Sequence, residues 1–562
     1  MTPSAAPVDL RGTLRAHCRG HDRASAPRAG DRTRLPNRIR RRTIERVRAR
    51  GAAVGWLVLV VAVSLVLRWP FFGVPLNADE GGYAYVAQRW LDGRGHLYDD
   101  LWVSRPQGIF LAYGLIFHTL GTSVEAIHVG AWLVGLATTL FVWLFARDWL
   151  GRRAAIPVAL VFTLINGSPY LEGYTANAEV FMALPAAAGA WLLLRWARRG
   201  GGAGALVAVG VLAAMATLLK PSGVVMLPMA LAFVWLIGGV SWRTAIARGA
   251  WIGGGFALGL APALVHGWMI GWQDFVYASA TYRLEFQSSA TVSSAHHWER
   301  FVRLIRHCRA LVVAVGLLVG ARWAAGLSWP PVPAPWLAPR VSGVVAEPRL
   351  FGRPMVRSDA EAGGLLLRLW LLGCLAGIAM GGDWWYHYLL QITAPLAIWL
   401  VAALRDLNGL LSRGWRWGVT IAVITLLIGQ YWVGAIGSPD RISSWLYHRN
   451  EIVAADEVAA YLRTHAPAEA PVYIAFSQPA ISYLADRPSP YRYLYPQELG
   501  ALPHAEADLI AMVERPARPL YIVDTGRRAP FADGGRSFWT AVATRYHLEA
   551  TVGGLAIYRA DE

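Results

Sequence analysis

Two adjacent carboxylates, Asp79 and Glu80, lie in the segment Asn77-Ala78-Asp79-Glu80-Gly81-Gly82-Tyr83, just beyond an apolar run that ends near residue 68. An ionisable group kept at the edge of a bilayer is costly and often functional. A carboxylate there can act as general base, taking the proton from a hydroxyl as it attacks a carbon. A third acid, Glu179, follows in Thr175-Ala176-Asn177-Ala178-Glu179 at the start of another apolar run. A carboxylate at a helix N-terminus is also favoured by the macrodipole alone, so Glu179 by itself has two readings.

Candidate cations accompany these acids. Lys220 is the only lysine among 53 basic residues, and it sits at a turn, Leu219-Lys220-Pro221-Ser222-Gly223. A compact ammonium there suits a phosphate, although a lysine that snorkels to the membrane surface looks the same in sequence. Arg105 stands in Arg105-Pro106-Gln107-Gly108, and His387 in Asp383-Trp384-Trp385-Tyr386-His387-Tyr388. An imidazole can donate to a phosphate oxygen, while the aromatics around it also fit an interfacial belt. The pair His296-His297 lacks a third ligand at metal spacing.

The elements that must position these groups are hydrophobic spans. With 55% apolar residues and 27 Trp in 562 residues, the chain carries more apolar surface than a soluble core can hide. Apolar runs predict about eleven transmembrane helices, near 51–68, 126–146, 154–168, 178–194, 203–219, 222–239, 250–270, 308–325, 363–380, 387–404 and 416–436. The net charge of +17 does not form a nucleic-acid patch, because the arginines fall in the short gaps between alternate spans. By the positive-inside rule those gaps and the N-terminus are cytoplasmic. The segment 69–125, short loops near 169–177 and 220, the loops 271–307 and 381–386, and everything after 437 are then outside.

Three domains are expected. Residues 1–50 form a disordered Arg-rich cytoplasmic tail, 51–436 the transmembrane domain, and 437–562 a small extracytoplasmic α/β domain. In the last, a helix near 451–465 precedes strands at 472–476 and 520–523. Within the first outer loop, Tyr83, Val86, Ala87, Trp90 and Leu91 recur at helical spacing and predict a helix lying in the membrane interface. The Pro-rich stretch Ser328 to Arg340 reads as a linker, and Cys18, Cys308 and Cys374 imply no disulfide framework.

From Asp79 to Tyr113 the sequence resembles the first outer loop of the lipid A aminoarabinose transferases and protein O-mannosyltransferases, members of the GT-C superfamily. The Asp-Glu pair opens that loop, Ala84-Tyr85-Val86-Ala87 follows, and Arg105-Pro106-Gln107 stands where many members have Lys-Pro-Pro. Glu179 takes the place of the family's second acid, Lys220-Pro221 that of a Lys-Gly or Lys-Pro turn, and His387-Tyr388 that of a His-Tyr or Arg-Tyr motif. The Gly81-Gly82 pair departs from the pattern, since the aminoarabinose and mannosyl enzymes often have basic or bulkier residues there.

The resemblance implies a GT-C membrane glycosyltransferase of the plasma membrane that moves a sugar, with inversion, from a polyprenyl-phosphate carrier to a hydroxyl of a glycan, lipid or protein. Asp79 would deprotonate the acceptor, Glu80 and Glu179 would orient it or tune Asp79, and Lys220, Arg105 and His387 would hold the departing phosphate. This scheme needs no cofactor, does not indicate a divalent cation and involves no nucleic acid. The same residues leave a transporter or flippase as the alternative, and a membrane anchor for the domain after 437 as another.

Overall fold

The computed structural model describes residues 55–562 except 238–240, 284, 286–293, 328–348, 351–352, 355–358, 408–409 and 477. The expected tail 1–50, Cys18 and the Pro-rich linker fall outside the described residues. Residues Val60–Glu562 form one unit, and Met1–Leu59 another.

A helix stands at each of the eleven expected places. Among the described residues six helices are long and apolar enough to cross a bilayer: Val124–Leu150, Ala178–Arg199, Trp242–Ile270, Glu361–Met380, Tyr386–Asp406 and Arg413–Ala435. A seventh arises if Ala295–His307 and Arg309–Ala324, bent by 80° where they meet, count as one span. Gly55–Phe71, Ala203–Leu219 and Pro221–Leu236 are also apolar and somewhat shorter than these six. The break between the last two has a local cause. Proline disfavours the helical region for the residue before it, and Lys220 is extended (φ −152°, ψ 132°) ahead of Pro221. Large apolar side chains stand exposed on the helix faces, among them Trp268, Trp323 and Trp415. Such a surface is solvated by lipid, and the protein is a membrane protein.

The segment 69–125 differs from its expectation. The helix Ala78–Leu91 is not a surface element, because Glu80 through Ala87 are buried. It packs on Gly108–Leu120, an apolar helix within the segment expected as an outer loop, and on Pro479–Ala485 from the C-terminal region. The aromatic and aliphatic periodicity that predicted an interfacial helix is used for protein packing instead.

The C-terminal region is built on a four-stranded sheet in the order Val472–Ala475, Tyr521–Asp524, Leu555–Ala560, Tyr546–Val552. The first pair is parallel, with Val472 opposite Tyr521, and the others are antiparallel. Helix Ala455–His465 supplies Val458 and Leu462 to one face of the sheet, against Val472, Val523 and Ile557. Leu509, Phe538 and Val542 cover the other face, against Tyr473 and Ile522. Gly553 and Gly554 turn the final hairpin at φ 55° and 80°, the left-handed conformation that a two-residue loop demands.

Candidate active site

The site begins with the cap of helix Ala78–Leu91. Asn77 is extended, its Oδ1 accepts from Glu80 N at 2.9 Å, and Glu80 Oε2 accepts from Asn77 N at 3.1 Å. This reciprocal capping box fixes the rotation of the first turn. Successive helical residues point about 100° apart, so the two adjacent acids have different surroundings. Glu80 is fully buried, and its Oε1 accepts from Ala176 N at 2.6 Å and faces His128 Nε2 at 3.0 Å. Asp79 is one-third exposed, with Oδ2 at 3.7 Å from His387 Nε2.

His387 sits among three acids. Its Nδ1 lies 2.8 Å from Glu172 Oε2, and its Nε2 lies 3.8 Å from Glu179 Oε1. Glu172 follows the short turn Pro169–Leu171 in the left-handed conformation (φ 53°), and Arg68 donates to the carbonyl of the next residue, Gly173. Glu179 is ion-paired with Lys220, and the Lys220 ammonium stands 4.0 Å from the centre of the Tyr388 ring. Both partners of this pair are almost completely buried.

Arg105 is buried as well. Its Nη1 donates to Ser104 O at 2.8 Å, its guanidinium carbon is 5.6 Å from the centre of the Tyr83 ring, and among the described residues its Nε has no partner. Burial works against the guanidinium charge, but Tyr83, Asp79, Tyr388 and Glu179 outweigh that and raise its pKa. The Arg105 cation is therefore permanent.

These groups border a cavity of about 520 Å³. Asp79, Arg105 and His387 line it together with Tyr83, Glu172 and Tyr388. Of the other predicted site residues, Glu179 and Lys220 form a buried pair beside His387 and Tyr388, and Glu80 is directed away into the protein. Arg300 and Arg303 reach the cavity from the helix Ser294–His307, and Tyr495, Glu498 and Arg527 from the C-terminal region.

Sequence reasoning missed Glu172, Arg300, Arg303 and Glu498. An acid in a short outer loop was a usable signal for Glu172, and the i, i+3 arginine spacing was one for Arg300 and Arg303. Glu498 carries no local signal. Among the described residues, no three His, Cys, Asp or Glu side chains come together in a way that could hold a metal ion. His297 Nδ1 lies 2.8 Å from Gly382 O, and Arg300 Nε donates to His296 Nε2 at 3.0 Å.

Residues 104–268 match the family described as dolichyl-phosphate-mannose-protein mannosyltransferase. The whole fold matches ArnT from Cupriavidus metallidurans, which was solved in the apo state and bound to undecaprenyl phosphate. The chain resembles the GT-C membrane glycosyltransferases. Against the two ArnT structures the TM-scores are 0.58 and 0.56 at 16% and 15% identity, covering 90% of this chain and 98% of that one. The archaeal oligosaccharyltransferase AglB from Archaeoglobus fulgidus, in complex with an inhibitory peptide and a dolichol-phosphate, matches with a TM-score of 0.51 at 13% identity. That likeness covers 91% of this chain and 74% of AglB. At such identities the GT-C likeness is one of fold. No curated protein matches the sequence.

Proposed function

We propose that the protein is a membrane glycosyltransferase that moves a sugar from a polyprenyl-phosphate carrier to a hydroxyl acceptor on the outer face of the plasma membrane, with inversion. The observation that carries this reading is the placement of one partly exposed carboxylate, Asp79, on the same cavity as Arg105 and His387. The ArnT and AglB structures whose fold it shares hold undecaprenyl phosphate and a dolichol-phosphate.

In this mechanism Asp79 takes the proton of the acceptor hydroxyl as its oxygen bonds to the anomeric carbon. The bond from that carbon to the carrier phosphate breaks on the opposite face, which inverts the centre. The phosphate gains negative charge as it leaves, so cations already in place stabilise the transition state more than the bound donor. Arg105, with an unused Nε, and His387 face the cavity for this purpose. Lys220, first expected to hold the phosphate, is paired with Glu179, and we assign the pair to positioning His387 and Tyr388. Glu80 has its oxygens engaged by Asn77, Ala176 and His128, and we assign it to holding the loop. The acceptor class, whether glycan, lipid or protein, is open to the same assay.

The test is transfer from a panel of labelled undecaprenyl-phosphate sugars to native membrane acceptors. Wild type should consume one donor, and the folded Asp79→Asn and Arg105→Ala forms should not. Full activity of Asp79→Asn would overturn the site, and failure of wild type to consume any donor would favour a transporter.

A further inference from the structure

The C-terminal region contributes a buried acid to the cavity that the mechanism above does not use. Glu498 lies in the short helix Pro496–Ala501, is only 4% exposed, and lines the cavity with Asp79 and Arg105. Among the described residues its Oε2 has no hydrogen-bond partner. A buried polar atom left unpaired is expensive, which points to a partner supplied by a ligand.

The position of Glu498 is held from both sides. Its N–H donates to Tyr495 O at 3.1 Å, and Tyr495 Oη donates to Ala78 O at 3.3 Å, beside Asp79. Two residues earlier, Tyr493 pairs with Trp102, their ring centres 5.0 Å apart. The carboxyl is close enough to Asp79 and Arg105 for both charges to act on it. In the proposed reaction Asp79 marks the acceptor side and Arg105 the phosphate side. What lies between a base and a leaving phosphate is the transferred sugar.

Charge narrows the class of that sugar. Six arginines, at 105, 283, 300, 303, 449 and 527, line the cavity against four acids, Asp79, Glu172, Asp383 and Glu498. Arg303 and Arg527 are paired with Glu299 and Glu451, and the remaining arginines suit an anionic carrier phosphate and do not favour an ammonium on the sugar.

We propose that Glu498 is a specificity-determining residue that reads an uncharged donor sugar, its unpartnered carboxyl oxygen hydrogen-bonding to one sugar hydroxyl. The nature of the ligand rests on the transferase reading; the one buried carboxyl oxygen without a partner does not. Burial raises the Glu498 pKa, so the carboxyl can both donate to and accept from a hydroxyl.

The experiment uses the full chain in lipid nanodiscs and measures both binding and turnover. The probes are undecaprenyl phosphate carrying mannose, glucose, arabinose or 4-amino-4-deoxyarabinose, plus the monodeoxy analogues of whichever binds best. Wild type should bind a neutral sugar above the amino sugar. Glu498→Met, which keeps the length and removes both oxygens, should weaken the best sugar about ten-fold, the loss expected for one hydrogen bond. For one monodeoxy analogue Glu498→Met should cost nothing, because the partner hydroxyl is already missing. Glu498→Gln should keep most of the affinity.

An equal loss for every analogue, or preference for the amino sugar, would overturn the inference. If the Glu498-dependent selectivity is found in binding but no sugar is transferred, the sugar-reading role stands and the transferase reading falls. If wild type binds none of the probes, both fall.

Discussion

Gly82 and Tyr495 meet because position 82 has no side chain: a Cβ there would overlap the Tyr495 hydroxyl. At Gly81 a Cβ would run into the backbone of Ala480. These two glycines are thus the seat on which the C-terminal region rests, next to Asp79. Gly81→Ala is expected to be the more damaging change, since backbone must move, whereas the Tyr495 side chain can swing about χ1. Limited proteolysis should show Gly81→Ala exposing cleavage sites in 437–562 that wild type protects. Tyr495→Ala in a Gly82→Ala background should restore protection, and independent effects of the two changes would refute the contact.

Asp79→Asn should leave the melting temperature unchanged and reduce turnover by about 10²- to 10⁴-fold, the range for loss of a general base. The reason lies in its exposure, one-third against none for Glu80, which leaves Asp79 free to meet an acceptor. Single-turnover kinetics with saturating donor separates this loss from weaker binding.

Glu80 should behave in the opposite way. Its carboxylate accepts from Asn77 N and Ala176 N and faces His128, which in turn reaches Phe72 O at 2.8 Å. His128→Ala removes one partner of a buried acid, a loss of about 1–3 kcal/mol. The melting temperature should fall while KM for the donor in the surviving fraction stays near wild type. A specific drop in kcat without a stability change would place Glu80 in the chemistry.

Lys220 and Glu179 should be coupled. Removing either partner of a buried ion pair leaves an uncompensated charge and costs about 3–5 kcal/mol, while replacing both is much milder. Glu179→Gln with Lys220→Met should therefore be more stable than either single variant in a double-mutant cycle. Additive losses would return Lys220 to the role of phosphate ligand.

Glu498 gives a pH signature. Burial, the largest effect on it, raises its pKa well above the ordinary carboxylate value, against hydrogen bonds from the Tyr495 and Leu494 backbone and the Arg105 charge. The folded protein therefore holds this proton where the unfolded chain has released it. The associated stability is fully present below the ordinary Glu pKa of about 4.3 and is lost as pH rises through the raised folded value. Melting temperatures measured from acid to alkaline pH should decline more steeply for wild type than for Glu498→Gln, which has no proton to lose; parallel curves would contradict the assignment.

Most of the helical plan was legible because apolar runs and proline punctuation act locally. Ala178–Arg199 and Arg413–Ala435 follow from hydropathy, and the Lys220-Pro221 turn follows from proline's effect on its neighbour. The lengths of the shorter apolar helices were not legible, since hydropathy does not say where Pro221–Leu236 or Gly108–Leu120 begins and ends. The Ala78–Leu91 helix was legible as a helix but not as a buried one, because its apolar positions look the same against lipid and against Ala480.

The residue types of the site belong to the sequence. Asp79, Arg105 and His387 stand out as charges or donors next to apolar runs, and that placement is itself costly enough to signal use. What the tertiary structure decided is which of them share a wall. The phase of one capping box turns Asp79 toward the cavity and Glu80 away from it. The closure of long loops brings Glu172 to His387 across 215 positions and Tyr495 to Ala78 across 417. Neither relation leaves a trace in local sequence, because side-chain direction and long-range contact are set by packing and not by the identity of neighbouring residues.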